Sequence, residues 1–256
     1  MTMETVAVLN QKGGVGKTTD TINLGGALAE YGRRTLLVDL DPQGNLTSAL
    51  GVDRLSGELT LTTAMLNGCT AEDARALVHQ HSDGLYVIPS SLDMFSLPRK
   101  LHSERAAHER LRRVLRHLDD AFDVCLIDCR PGLDVDTDAA LYAAGSIVIP
   151  VDVDEFSIEA LSLLLGQMQT LADELEHPAP TVRGLIINRV ILPLSAINSA
   201  VMEQLKGAGV PALAEVPIRS ILAEARNQRL TITQYAPKSD VARLFRDLAK
   251  ASGLVA

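Results

Sequence analysis

A chain that passes from a short apolar strand through a glycine-rich turn straight into a helix has few folds open to it, and residues 5–30 do this. Thr5–Leu9 (TVAVL) has the β-branched, apolar character of a buried strand, and Thr18–Glu30 (TTDTINLGGALAE) reads as a helix. Between them lies NQKGGVGKTT, from Asn10 to Thr19. Gly13, Gly14 and Gly16 allow the backbone to turn its N–H groups inward, which makes a concave anion nest at the positive end of the following helix. Lys17 at the end of such a loop meets the β- and γ-phosphates of a nucleotide, and the Thr18 hydroxyl ligates the Mg²⁺ that bridges them. The usual spelling G-x-x-x-x-G-K-[ST] is broken at its first position, where Gln11 stands, and Lys12 adds a second lysine. A plain glycine turn would account for the flexibility but not for the Lys-Thr pair in this setting.

Further acidic residues follow at strand ends. Arg34–Leu40 (RTLLVDL) reads as a buried strand leading into Asp39-Leu40-Asp41-Pro42, and period-2 alternation puts Asp39 and Asp41 on one face. One carboxylate can hold the metal's water shell while the other orients the water that attacks the γ-phosphate. Phe122–Cys129 (FDVCLIDC) carries Asp128 near its end, the natural second carboxylate for Mg²⁺. Gly84–Pro89, Ile147–Val151 and Arg183–Arg189 read as additional strands, with helical patterns between, among them Ser103–Leu118. That alternation predicts an α/β fold, a doubly wound, mostly parallel sheet with helices on both faces, in a single P-loop ATPase domain over residues 1–256.

The charge is unevenly placed. Net charge is −8, yet residues 1–181 hold 14 Lys+Arg against 27 Asp+Glu, while residues 182–256 hold 10 against 5. A basic end on an acidic body is compatible with local contact to DNA phosphates. Cys69, Cys125 and Cys129 lack C-x-x-C spacing, which argues for small core residues rather than a disulfide or zinc framework. His79-Gln80-His81 reads as loop surface, and Arg112, Arg113 and Arg116 as a solvated helix face. A strand begins within a few residues of the start and no apolar run has membrane-spanning length, so a cytoplasmic location is expected.

These pieces together resemble the ParA/MinD group of deviant Walker-A ATPases, and within it the ParA/Soj partition proteins. The resemblance rests on KGGVGKTT (Lys12–Thr19), LLVDLDPQGN (Leu36–Asn45), LIDCRPG (Leu126–Gly132), VIPVDVDEFSIEAL (Val148–Leu161), NRV (Asn188–Val190) and YAPKSDVARLFRDLAK (Tyr235–Lys250). It implies slow hydrolysis of ATP with Mg²⁺, stimulated by a partner. It also implies an ATP-dependent homodimer in which Lys12 reaches the nucleotide of the other subunit, acting in trans much as an arginine finger does. By the same resemblance Gly13, Gly14, Val15, Gly16, Lys17, Thr18 and Thr19 bind phosphate, and Thr18, Asp39 and Asp128 support the metal. Asp41 positions the water, Asn188 reads adenine, and Pro217 and Arg219 lie beside the base. Nonspecific double-stranded DNA on the nucleoid and a ParB-like centromere-binding protein are the implied partners, with Arg219, Arg226 and Arg229 as DNA contacts. Only 3% of residues are aromatic, so such contacts would go to phosphates rather than to stacked bases. A MinD-like membrane-associated or other cargo-positioning ATPase is the alternative; the apolar stripe Val241, Leu244, Phe245 and Leu248 is expected to pack on the core rather than on a membrane. Asp20 departs from the threonine common in relatives and is expected to point away from the phosphates.

Overall fold

The computed structural model describes residues 2–102, 104 and 106–255. Its strands are β1 (Glu4–Val8), β2 (Thr35–Asp39), β3 (His79–Ser82), β4 (Leu85–Ile88), β5 (Val124–Asp128), β6 (Ser146–Asp152), β7 (Thr181–Val190) and β8 (Ala212–Pro217). They form one sheet in the order β3-β4-β2-β5-β1-β6-β7-β8, parallel throughout except for the β3–β4 pair. β1 lies between β5 and β6, with Val8 opposite both Asp128 and Val148. The order reverses at β1, so the loop leaving its carboxyl end opens into the crevice where doubly wound sheets bind ligands.

β2, β5 and β6 are buried along their whole length, as central parallel strands covered on both faces must be. Successive residues feed two separate cores. Ala7, Leu9, Leu36, Val38 and Ile127 pack on one face, while Val6, Leu37, Leu126 and Val148 pack on the other. The helix Lys17–Glu30 covers the second face, and its Gly25 passes so close to β2 that an added Cβ would come within 2.7 Å of Leu37.

The last helix, Asp240–Ala251, turns Val241, Phe245 and Leu248 into the second core, with Leu244 half-buried beside them. The stripe is therefore core, as its sequence suggested. No helix among the described residues is long and apolar enough to cross a membrane.

Three local expectations change. His79–Ser82 is an antiparallel edge strand, not loop, because Asp83-Gly84, with Gly84 at φ 72°, closes a two-residue hairpin onto β4. The expected helix Ser103–Leu118 shrinks to a 3₁₀ turn, Ala107–Glu109, followed by Arg110–Arg116; Ala106 at φ 51° breaks the earlier turn, and Ser103 and Arg105 lie outside the described residues. Arg112 is not simply solvated: its guanidinium lies 5.4 Å from the Tyr142 ring centre and 2.9 Å from His177 Nε2. Arg113 does follow the simpler pattern, pairing with Glu109 one turn earlier at 2.7 Å. Cys125 and Cys129 are buried and Cys69 half-buried, all as free thiols.

Candidate nucleotide-binding site

The carboxyl ends of β1, β2, β5, β7 and β8 surround a cleft of about 980 Å³ whose walls include Lys17, Thr18, Asp41, Asn188 and Pro217. The loop Asn10–Gly16 contributes Gly14 and Gly16 to its lining. Gly14 (φ 77°) and Gly16 (φ 100°) take left-handed backbone values, and a Cβ on Gly16 would sit 2.6 Å from Asn188 Nδ2. Neither position accepts a side chain without strain, which explains why the loop is spelled with glycine there.

Lys17 is buried, and its ammonium donates to the carbonyls of Asn10 (3.0 Å) and Lys12 (2.9 Å). Burial lowers its pKa, against the raising influence of the Asp128 and Asp41 charges. An ammonium held this way already stands at the mouth of the nest. Thr18 Oγ1 donates to Asp128 Oδ2 at 2.7 Å, while the buried Asp128 Oδ1 has no hydrogen-bond partner among the described residues. Asp39 Oδ2 accepts from the Thr47 amide (2.8 Å) and hydroxyl (2.5 Å), and its Oδ1 accepts from the Asp41 amide at 3.3 Å. Burial drives Asp39 up to about 6; the Thr47 and Asp41 hydrogen bonds oppose the rise, and the Asp41 charge adds to it. Asp128 goes well above the ordinary carboxylate range through burial and the neighbouring charge of Asp39. Crowded, desolvated carboxylates beside a hydroxyl and an unsatisfied oxygen suit a hard divalent cation with its water shell.

That crowding has a measurable consequence in the metal-free protein. A folded-state pKa above the unfolded one means that the native chain binds the proton more tightly, so Asp39 contributes stability below the ordinary carboxylate range and loses it as pH rises through about 6. Urea unfolding at a series of pH values is expected to show wild type losing stability relative to Asp39→Asn between about pH 4 and pH 7. Equal slopes for the two proteins would contradict the crowding.

Lys12 takes a different course from Lys17. Its backbone N–H donates to Asn10 Oδ1 at 2.9 Å, and its ammonium pairs with the Asp154 carboxylate and lies 4.0 Å from Asp152. Asp154 also caps the helix Glu155–Leu175 by accepting from the Ser157 amide at 3.0 Å. Burial pushes the Asp154 carboxyl upward, but the hydrogen bond and charge of Lys12, with the bonds from Ser157, outweigh it and hold the group below its ordinary value. Arg189 meets Asp152 at 3.1 Å and also donates to the Gly14 carbonyl. Within one chain, then, Lys12 is turned away from its own nest.

Asn188 and Asp20 meet inside the cleft wall. Asn188 Nδ2 donates to the Val15 carbonyl (2.7 Å) and to Asp20 Oδ2 (2.6 Å), and Asp20 is 1% exposed. Asp20 therefore turns toward Asn188, with its Oδ2 engaged by the amide and its Oδ1 without a hydrogen-bond partner among the described residues. Burial raises its pKa well above the ordinary range, against the Asn188 hydrogen bond and with the charge of Asp152. A Cβ on Gly13 would reach Pro131 at 4.0 Å, an ordinary contact. Val15 is wholly buried, and Thr19 lines the cleft. Pro217 and Arg219 also line the cleft, as do Arg226 and Arg229, both exposed.

Asn10, Thr47, Asp152, Asp154 and Arg189 belong to this constellation and were not singled out from sequence. Asp152 and Asp154 carried a readable signal, two carboxylates at period two where β6 ends, like Asp39 and Asp41 where β2 ends.

A parallel sheet with a glycine nest, a buried lysine and clustered carboxylates at its switch point defines a P-loop nucleotide-binding protein. Residues 3–179 match the family model described as "AAA domain". The chromosome-partitioning ATPase Soj of Thermus thermophilus is 37% identical over 247 residues, covering 96% of this chain and 93% of that one. The sporulation initiation inhibitor protein Soj of Bacillus subtilis is 33% identical over 252 residues, covering 96% of each. Among solved structures, a cobyrinic acid a,c-diamide synthase from Mycobacterium smegmatis, with bound ATP analogue and magnesium, superposes with a TM-score of 0.82 at 28% identity, over 97% of this chain and 93% of that one. The chain belongs to the ParA/Soj family of P-loop ATPases.

Proposed function

We propose that this chain is a partition ATPase that binds nonspecific double-stranded DNA as an ATP-loaded homodimer and leaves it when a ParB-like partner stimulates hydrolysis. The observation that carries the reading is the contrast between the two lysines. Lys17 lies in the nest on two carbonyls, while Lys12 rests at its edge on Asp154. An ATP triphosphate offers Lys17 better acceptors than two backbone oxygens, and a facing subunit offers Lys12 the same exchange across the interface. The names of the Soj relatives support chromosome partitioning as the setting.

Thr18, Asp39 and Asp128 would hold Mg²⁺ and its waters, a cation that neutralises charge on the β- and γ-phosphates when bound. Asp41, at the mouth of the same carboxylate group, would orient the attacking water. Asn188 and Pro217 would flank adenine. Cleavage of the γ-phosphate removes what both lysines grip, and the dimer then loosens.

Arg219, Arg226 and Arg229 are proposed to touch DNA phosphates. Their place on the cleft wall would let nucleotide and DNA affinity depend on each other. The experiment is a DNA-binding titration with ATP, ADP and no nucleotide at several salt concentrations. Binding should require ATP, and its log-log salt slope should be about −0.9 for each phosphate neutralised. Substituting Arg226 and Arg229 together should flatten that slope by roughly two such increments. DNA binding that ignores nucleotide, or an unchanged slope in the double variant, would count against this reading.

A further inference from the structure

We propose that Asp20 is a specificity-determining residue for the nucleobase, acting as a positioning residue through Asn188. The proposal rests on the ATP-binding reading and deepens it. An asparagine amide can present either a donor or an acceptor to a ligand, and the choice is open unless its surroundings make it. Here they make it. The Nδ2 group lies 2.7 Å from the Val15 carbonyl and 2.6 Å from Asp20 Oδ2, and the carbonyl can only accept, so the nitrogen must face it. Both Nδ2 hydrogens are thereby spent. The Asp20 interaction holds whether or not that carboxyl carries a proton on its other oxygen, because Oδ2 accepts in either case.

What remains for a ligand is the other end of the amide, Asn188 Oδ1, since the two hydrogen bonds of this side chain both run through Nδ2 and the residue lines the cleft. An obligate acceptor at the base position asks for a donor. The 6-amino group of adenine is one; the 6-oxo group of guanine or hypoxanthine is an acceptor and would set lone pair against lone pair. Asp20 has little else to do. It is buried in the first turn of the helix Lys17–Glu30, its Oδ1 has no hydrogen-bond partner among the described residues, and burial without compensation costs stability. A costly group retained beside a ligand cleft is explained if it fixes the amide that reads the ligand. Gly16 fits the same scheme, since any Cβ there would collide with the Asn188 amide at 2.6 Å.

The test compares affinities for ATP, ITP and purine riboside triphosphate, which lacks any 6-substituent, in wild type, Asp20→Asn and Asp20→Ala. Wild type should bind purine riboside triphosphate roughly tenfold more weakly than ATP, and ITP at least as weakly. Asp20→Asn keeps an acceptor oxygen and should keep that ratio, whereas Asp20→Ala should reduce it by about threefold or more. A second measurement needs no nucleotide: in the free protein the Asn188 side-chain amide protons should both exchange slowly by NMR, and Asp20→Ala should release one. Equal wild-type affinity for ATP and purine riboside triphosphate, an unchanged ratio in Asp20→Ala, or a freely exchanging Asn188 amide in wild type would overturn the proposal. Failure of every triphosphate to bind would instead overturn the ATP-binding reading, and the exchange measurement would then still decide whether Asp20 locks the amide.

Discussion

Lys17→Ala is expected to weaken ATP binding by roughly 100-fold or more and to reduce hydrolysis to the level of a protein-free control. The ammonium would make charge-assisted hydrogen bonds to two phosphates, each worth about 1.5–3 kcal/mol, and methyl makes none. The free protein shows why the loss is not offset elsewhere. Lys17 is buried with its charge resting on the Asn10 and Lys12 carbonyls, close enough to Asp128 and Asp41 for their charges to support it. Removing it leaves two loop carbonyls without that donor and a group of buried carboxylates without their cation. The variant should therefore also unfold at a lower temperature, and calorimetric titration on protein shown to be folded separates the two effects. Retention of wild-type ATP affinity by the folded variant would contradict the assignment of the nest.

Lys12→Ala should behave differently. Its ammonium makes no contact with its own nest, so nucleotide affinity should change by no more than about threefold, while hydrolysis should fall by on the order of 10³, as when a cation supplied in trans is withdrawn. In the free chain the substitution also strips Asp154 of the partner that holds its carboxyl low, so that pKa should rise toward its ordinary value. The cost of separating Lys12 from Asp154 is modest because both groups are partly solvated. Exchange of that pair for a facing phosphate is thus within reach of the binding energy of ATP.

Much of the fold was legible because central parallel strands read as continuous apolar runs: Phe122–Cys129 and Arg34–Leu40 each contain the strand the structure forms. That the glycine loop and the acidic residues Asp39, Asp41 and Asp128 would gather at one end of the sheet was legible for a related reason, since each follows or ends a parallel strand. What stayed hidden depends on contacts across long stretches of chain. Nothing near Asp20 in sequence indicates that Asn188 will accept its company, 168 residues later. Thr47 gains its role only because the turn after β2 carries its hydroxyl back to Asp39. The stack of Arg112, Tyr142 and His177 brings together two helices and the connection before β7, and no helical period reveals it. The edge strand His79–Ser82 differs from these, because its signal is local: the Asp83-Gly84 dipeptide between it and β4 is a hairpin turn sequence.

The roles proposed for the two lysines make one demand above all, that nucleotide bring two chains together. Sedimentation velocity of the wild type and of Lys12→Ala, each with ATP, ADP and no nucleotide, tests it most directly. The account predicts a monomer without nucleotide, a dimer with ATP in the wild type alone, and reversion as ATP is consumed. A wild type that stays monomeric when saturated with ATP, or a Lys12→Ala protein that dimerises as readily, would contradict it.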